Sequence, residues 1–374
     1  MKEKIESIGK QKLILATAFI ILIIIIILGG ALIYNKYFYK RSYKEIEDIM
    51  KKSAESYMKK NSENLPKQIN ETVSLSVNDL VVAEEMKDIS EYLKDESISC
   101  TGNISITNIN IDLYRYVPIL DCGTTYKTKK FIDYIKENIP ITESGNGLYN
   151  LNEELIYRGD IVNNYLSLDG KKYRIVKFSN NETIIIYNEK TYLTNWDNRY
   201  NLEKRNTMGK NDYSVSNIRT LLNNLYSGKE KINKKDFISA DAKNLLIAHN
   251  LHIGRRSETE TNKNGDIEKG ATIENQYIGL LPLYDYLNTS LDKNCTNSTS
   301  ESCMNYNYLT DYYSKRWWTM TGESKTTYKV YSIESSPLLK AANSNAYIRP
   351  VLHLAKDTIY ISGDGTLENP YVVK

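Results

Sequence analysis

From Leu13 to about Tyr34 the chain is apolar and carries no charge, and its centre, Phe19 to Leu28, has no proline and no hydrogen-bonding side chain. As a helix rising about 1.5 Å per residue, such a run spans roughly the thickness of a hydrocarbon core. A cleaved leader has a shorter apolar stretch, about 7–15 residues, ending at a small-x-small site. Here the small cluster Gly29-Gly30-Ala31 is followed by Leu32 and Ile33, which continue the pattern. The run predicts an uncleaved single-pass transmembrane anchor over 13–34, behind a cytoplasmic tail over 1–12. Beyond it, Tyr43, Ile46, Met50, Ala54 and Tyr57 recur at three- and four-residue steps among Lys, Glu and Ser, the signature of an amphipathic helix. No breaker separates this helix from the anchor, so a continuous helix from Lys12 to Ser62 is expected, forming a helical stalk over 35–66 that Pro66 ends.

A second helix is expected from Ser76, with Asp79 at capping-box spacing, through Leu80, Met86, Ile89 and Leu93. Short alternating strands follow at 104–106, 109–111 and 113–117, between Cys100 and Cys122. This pattern outlines a small disulfide-closed module over 67–140. Residues 141–155, with Thr142 to Gly147 at their start, read as a linker. The remainder, 156–374, reads as one larger domain. Its clearest element is a hairpin of Tyr165–Leu168 and Tyr173–Phe178 about the Asp169-Gly170 turn. A strand at 183–187, helices at 212–226 and 280–287, and late strands at 330–333, 348–354 and 358–361 complete it. Few helices among many short strands predict the α+β class.

The chain has 374 residues and a net charge of +3, with no long basic block away from the anchor flanks, so nucleic-acid binding gains no support. Its 31 tyrosines and many Asn, Lys and Ile are those of an AT-rich coding sequence, as in a low-GC bacterium. Lysines flank the anchor on both sides, so the positive-inside rule leaves orientation open. The four cysteines decide it: all lie beyond the anchor as two near pairs, a pattern suited to an oxidising compartment. Three connectivities are possible, and Cys100–Cys122 with Cys295–Cys303 is the natural one. The amino terminus is therefore expected inside the cell membrane and the bulk of the chain outside.

Residues 35–130 resemble the pilin-like amino-terminal modules of low-GC bacteria, in which a membrane helix and a second helix precede a cysteine loop; here that loop runs from Cys100-Thr101-Gly102-Asn103-Ile104 to Asp121-Cys122. The processing site of a prepilin, of the Gly-Phe-Thr-Leu-Ile-Glu type, is replaced by Gly9-Lys10-Gln11-Lys12, so the resemblance implies a pilin's shape and not its cleavage. Residues 156–374 resemble an uncharacterised bacterial surface domain through Tyr157-Arg158-Gly159-Asp160, Tyr173-Arg174-Ile175-Val176, Ser216-Asn217-Ile218-Arg219, Trp317-Trp318-Thr319 and Ile348-Arg349-Pro350-Val351. The last two phrases are similar to those of the C-type-lectin-like and formylglycine-generating-enzyme-like fold. That resemblance implies a tryptophan-rich strand and an arginine-bearing strand beneath long ligand-facing loops.

Candidate sites are few. Adjacent residues of a strand face opposite ways, so one of Trp317 and Trp318 is expected outward as a stacking platform for a sugar or peptide. Arg349 is a candidate carboxylate clamp. His249 and His252 could share a face if helical, but no third ligand lies near in sequence and His353 belongs to another strand, so no metal is expected. Asn262 to Glu268 is dense in oxygen without EF-hand spacing and reads as a Gly-centred turn. Arg158-Gly159-Asp160 spells an adhesion tripeptide that more simply makes a turn. No nucleophile elbow, no Ser-x-x-Lys and no phosphate loop is present, and the cysteines are committed to disulfides. The expectation is therefore not an enzyme, and no cofactor is foreseen. It is a membrane-anchored cell-surface binding or adhesion protein for a glycan, cell-wall component or protein. The alternative is a structural, minor pilin-like or envelope-complex subunit that self-associates along its stalk.

Overall fold

In a computed structural model, residues 19–30, 40–95, 97–310 and 315–374 are described. Helix α1 (residues 19–30) is the described part of the expected anchor; the tail 1–12 and positions 13–18 and 31–39 lie outside the described residues. Among the described residues no helix is long and apolar enough to cross a membrane. The continuous helix expected from Lys12 to Ser62 is corrected at Ser42, whose backbone is extended (φ −73°, ψ 159°) and which starts a new helix, α2 (Tyr43–Lys60). Ser42 and Glu45 form a capping box, each side chain accepting from the other's backbone N–H.

Two units divide the chain: one holds residues up to Asn64 with Ser74–Ile104 and Pro118–Lys127, and the other holds Leu65–Val73, Ser105–Val117 and Thr128–Lys374. In the smaller unit, Ile46, Met50, Ala54 and Met58 form the buried face of α2, as their spacing predicts. Strand β1 (Thr72–Ser76) leads into α3 (Val77–Val82), again with a capping box, from Ser76 and Asp79. The helix stops well short of the expected Leu93. Glu84 adopts a left-handed φ of 58°, and the N–H groups of Glu84 and Glu85 turn back onto the carbonyls of Val81 and Leu80. The three short strands expected next merge into two long ones, β2 (Thr101–Asn110) and β3 (Leu113–Asp121), joined at Ile111 and Asp112. With β1 they form a three-stranded sheet in the order β1-β2-β3. A Cβ at Gly102 would lie 2.8 Å from both Met50 Cε and Val77 Cγ2, so a side chain there would force these two to shift.

Both disulfides form as paired in the sequence, Cys100–Cys122 and Cys295–Cys303. The first links positions 22 residues apart, and a loop of that length is stabilised by about 3 kcal/mol on the chain-entropy estimate. Replacing Cys100 and Cys122 together with serine is expected to lower stability by about that amount in denaturant melts, while reduction of the wild type reproduces the loss. An unchanged midpoint would mean that the unfolded chain is already constrained there.

From Thr128 on, the larger unit runs through α4 (Phe131–Asn138), then the hairpin β4 (Gly147–Leu151) and β5 (Glu154–Arg158), so about half of the stretch expected as a linker, 141–155, is paired strand. Strands β6 (Tyr165–Leu168), β7 (Lys171–Ser179), β8 (Glu182–Tyr187) and β9 (Thr191–Asn195) follow. The β6–β7 turn is the expected Asp169-Gly170, with φ of 56° and 68°, the left-handed pair of a type I′ hairpin. Helix α5 (Asn217–Ser227) starts later than foreseen because Asp212 caps a separate 3-10 turn and Ser216 caps the helix itself. Then come α6 (Ala240–Lys243), β10 (His249–Ile253), β11 (Arg255–Arg256), β12 (Ala271–Gln276), β13 (Ile278–Gly279) and α7 (Leu283–Thr289). The chain ends in β14 (Trp317–Glu323), β15 (Lys329–Ile333), β16 (Pro337–Ala341), β17 (Asn345–Ile348), β18 (Val351–Leu354), β19 (Tyr360–Ser362) and β20 (Tyr371–Val373).

Two larger sheets organise this unit. One runs β13-β18-β8-β7-β6-β20-β19, with the β4–β5 hairpin attached to β7; the other runs β16-β15-β14-β17-β9, with β11 on β14. The expected strand 348–354 is divided between them: β17 belongs to one sheet and β18 to the other. Pro350 stands at the crossing, where a residue that cannot donate to a ladder costs nothing. One continuous apolar core joins these elements, centred on Trp196, Trp317, Trp318, Tyr173 and Tyr286. Mixed sheets with short helices place the chain in the α+β class.

Candidate functional site

The residues expected at a ligand face are buried. Trp317 and Trp318 are both 0% exposed, as all seven residues of β14 are buried. Alternation holds, but both sides of this strand are covered. Trp317 meets Tyr286 of α7 edge-on at 6.1 Å, and Trp318 donates its indole N–H to the Thr194 carbonyl at 3.0 Å. Arg349 donates to the carbonyls of Tyr187 (3.0 Å) and Leu309 (3.3 Å) and lies over the Trp317 ring, fixing the crossing between the sheets. Arg158 likewise spends its guanidinium on the carbonyls of Asn288 and Ser290, so the Arg-Gly-Asp tripeptide ends β5.

What faces outward is a polar cleft of about 1160 Å³ on the larger unit. Two hairpin tips form part of its wall. Asn152 and Glu153 turn β4 into β5 with φ of 51° and 68°, and Asn180 and Asn181 turn β7 into β8 with φ of 50° and 62°. Asparagine tolerates left-handed backbone, so the turns themselves need these residues, and their amides come to the cleft as a consequence. Asn150, Asn262, Asn264 and the lysines Lys136, Lys263 and Lys269 extend the polar lining. In the loop from Asn262 to Glu268 the side-chain oxygens turn onto their own backbone: Asn262 accepts from Asn264 N–H at 2.8 Å and Asn264 from Asp266 N–H at 3.0 Å.

A deeper pocket of about 260 Å³ shares Glu154, Asn180, Gly265 and Tyr284 with the cleft. On one side stands Lys177. Its strand slips register against β8 between Ile175 and Lys177, a bulge that re-aims the side chain. The ammonium lies 2.9 Å from Asp285 and 3.1 Å from Glu154, and 3.3 Å from the Tyr284 hydroxyl. Burial works against that charge, but Asp285, Tyr284 and Glu154 outweigh it and hold Lys177 well above the ordinary lysine range. Burial in turn pushes Asp285 up, with the ammonium opposing. At 2.9 Å and with a second carboxylate alongside, the Lys177 charge is the firmer of the two, and it keeps the pair ionised.

Glu268, also buried, reaches from the end of its 3-10 turn to the start of α7. That helix has Pro282 at its N-cap and no capping side chain of its own. Glu268 takes the Tyr284 N–H at 3.0 Å, shares the Leu283 N–H (3.2 Å) with Thr321 Oγ1 (2.8 Å), accepts from the Thr321 hydroxyl, and pairs with Arg256 at 3.4 Å. Burial pushes its carboxyl up to about 7 despite Thr321 and Arg256.

On another side, Glu182 at the head of β8 meets two imidazoles. His249 Nδ1 lies 3.0 Å and His353 Nδ1 3.1 Å from the same oxygen, Oε2, and the rings stack at 3.8 Å. His249 comes from β10, a strand and not a helix, so its partner is His353 of β18, and the i, i+3 pairing with His252 that a helix would have allowed does not form. Burial alone would raise Glu182, but the two histidines hold it down at about 2. Burial lowers His353 to about 4, so at neutral pH its ring is uncharged and faces an ionised carboxylate. Sequence reading passed over Glu182, because nothing marks one glutamate at a strand end until β18 is known to pair with β8.

No protein-family model, curated protein or solved structure matches the chain.

Proposed function

We propose that the chain is a membrane-anchored surface protein of a bacterium whose polar cleft binds a glycan or cell-wall component without turnover. The cleft carries the reading: amides and lysines around about 1160 Å³ of open space offer paired donors and acceptors, the chemistry that hydroxyl- and amide-bearing polymers require. The apolar run 13–34 supports anchoring, and two disulfides support an oxidising, extracellular side. The buried Trp317, Trp318 and Arg349 are no longer the proposed contacts; Asn150, Asn181, Lys136 and Lys269 replace them.

The test is binding of the full-length chain, held in detergent with its disulfides intact, to an array of glycans and cell-wall fragments. Asn150→Ala and Asn181→Gly, the second chosen to keep the left-handed turn, are exposed changes expected to leave folding intact. Together they should weaken binding by roughly 10-fold, at about 1 kcal/mol or less per lost hydrogen bond. A folded protein that binds nothing on the array, but cross-links to itself through residues 12–62, would favour the structural subunit.

A further inference from the structure

All three histidines of the chain line the deeper pocket. For a chain so poor in histidine, that placement is not what turn chemistry or packing would produce. Two of them, His249 and His353, aim Nδ1 at a single oxygen of Glu182, and the ligating atoms of the three residues lie within 4.8 Å of one another. We propose that Glu182, His249 and His353 form a binding site for a divalent transition metal, of the zinc class, with coordination positions left open to the pocket.

The donor set is the first argument. Two imidazole nitrogens and one carboxylate oxygen suit borderline cations such as Zn²⁺, whereas Ca²⁺ and Mg²⁺ select oxygen alone. Spacing is the second. Bonds of about 2.0–2.2 Å to a common tetrahedral ion separate adjacent ligand atoms by roughly 3.3–3.6 Å, so the observed 3.0 and 3.1 Å need to open by only a few tenths of an ångström. Rigidity is the third. The ligands come from three strands, β8, β10 and β18, and β18 pairs with β8 in register, His353 opposite Ile184. The two rings stack 12° from parallel, so each must tilt to bring its in-plane lone pair onto a common ion, while the strands that carry them stay in place.

Access completes the case. Glu182 and His249 are part-exposed at 18% and 28% of their side-chain surface, and they border a pocket of about 260 Å³, so an ion can enter. Three protein ligands leave at least one position for water or for an oxygen of whatever occupies the pocket, the pattern of sites that act on or hold a ligand. Without metal, each Nδ1–H can donate to the carboxylate. With metal, both rings present the Nδ1 lone pair and carry their proton on Nε2.

The test uses the full-length chain in detergent, stripped with EDTA and titrated with Zn²⁺ against a chromogenic chelator. Co²⁺ provides a second reading through its visible d–d bands. One equivalent of Zn²⁺ should bind per chain, and Ca²⁺ should not displace it. Glu182→Gln and His249→Ala alter part-exposed groups, and their thermal melts would confirm folding. Each should weaken Zn²⁺ by more than the roughly 10–100-fold that loss of a group merely orienting a ligand costs. His353 is buried, so its replacement is a secondary variant. Folded wild-type protein that binds no Zn²⁺, or equal affinity in both variants and the wild type, overturns the proposal. The outcome is independent of the array experiment, since the metal is measured directly.

Discussion

Lys177→Met is expected to lower stability by about 3–5 kcal/mol at pH 7, because it strands a buried carboxylate where an ion pair stood. Asp285 is 3% exposed and Lys177 5%, and the bulge in β7 leaves the ammonium 2.9 Å from Asp285 with Glu154 beside it. Methionine keeps the length and volume of the lysine stem, so lost packing is a small part of the effect. Asp285 can escape the penalty only by taking up a proton, and burial already pushes its carboxyl up. The loss should therefore shrink as pH falls from 7 toward 5. Removing both charges at once, Lys177→Met with Asp285→Asn, should recover most of it, since a buried pair gives little net stability over neutral groups that fit. The measurement is a double-mutant cycle by urea unfolding at two pH values. Additive losses with no coupling would mean that water reaches the pair and screens it.

The elements that local chemistry decides were legible in the sequence. The Ser76–Asp79 capping box, the Asp169-Gly170 turn and the buried stripe of α2 each depend on neighbours a few residues apart, and all three stand where the pattern puts them, whereas the Ser42–Glu45 box that starts α2 lies inside the stretch expected as continuous helix. Both cysteine pairs were legible for the same reason. What failed depends on the partner across a sheet. Trp317-Trp318 alternates as any strand does, but alternation names two faces without saying whether one meets solvent, and here both are buried, with Trp317 against Tyr286 of α7 and Trp318 hydrogen-bonded to the Thr194 carbonyl. Arg349-Pro350 reads as the middle of one strand and is the crossing between two sheets. The Glu182–His249–His353 cluster joins residues 67 and 171 positions apart, and no local period encodes that. The one available signal was scarcity: three histidines in 374 residues, one of them, His353, in an otherwise aliphatic strand. The cleft was hidden by its own economy, since Asn180-Asn181 and Asn152-Glu153 are fully accounted for as turn residues.

Glu268→Ala and Glu268→Gln should differ sharply, and the contrast tests which force governs the carboxyl at the start of α7. Alanine removes the acceptor of the Tyr284 N–H, one of the two acceptors of the Leu283 N–H (Thr321 Oγ1 is the other, at 2.8 Å), and the carboxyl beside Arg256, which is itself 0% exposed. Leaving the buried guanidinium and the Tyr284 N–H without that partner should cost about 1–3 kcal/mol near pH 5, where the folded carboxyl holds its proton, and less as pH rises toward 7. Glutamine keeps one oxygen for the helix and should cost much less. The pH dependence follows from linkage. Burial raises the folded carboxyl to about 7 from the ordinary 4.5. Between those values the folded chain holds a proton that the unfolded chain has released, so stability declines as pH rises through the window. The contribution is full below about 4.5 and is gone above about 7, a total on the order of 3 kcal/mol. Glutamine cannot ionise, so Glu268→Gln should flatten that slope between pH 5 and 7 relative to wild type. Urea melts across the range would measure it. If the slope persists unchanged in Glu268→Gln, then Arg256, Thr321 and the two N–H donors keep Glu268 ionised, and hydrogen bonding has outweighed burial at this site.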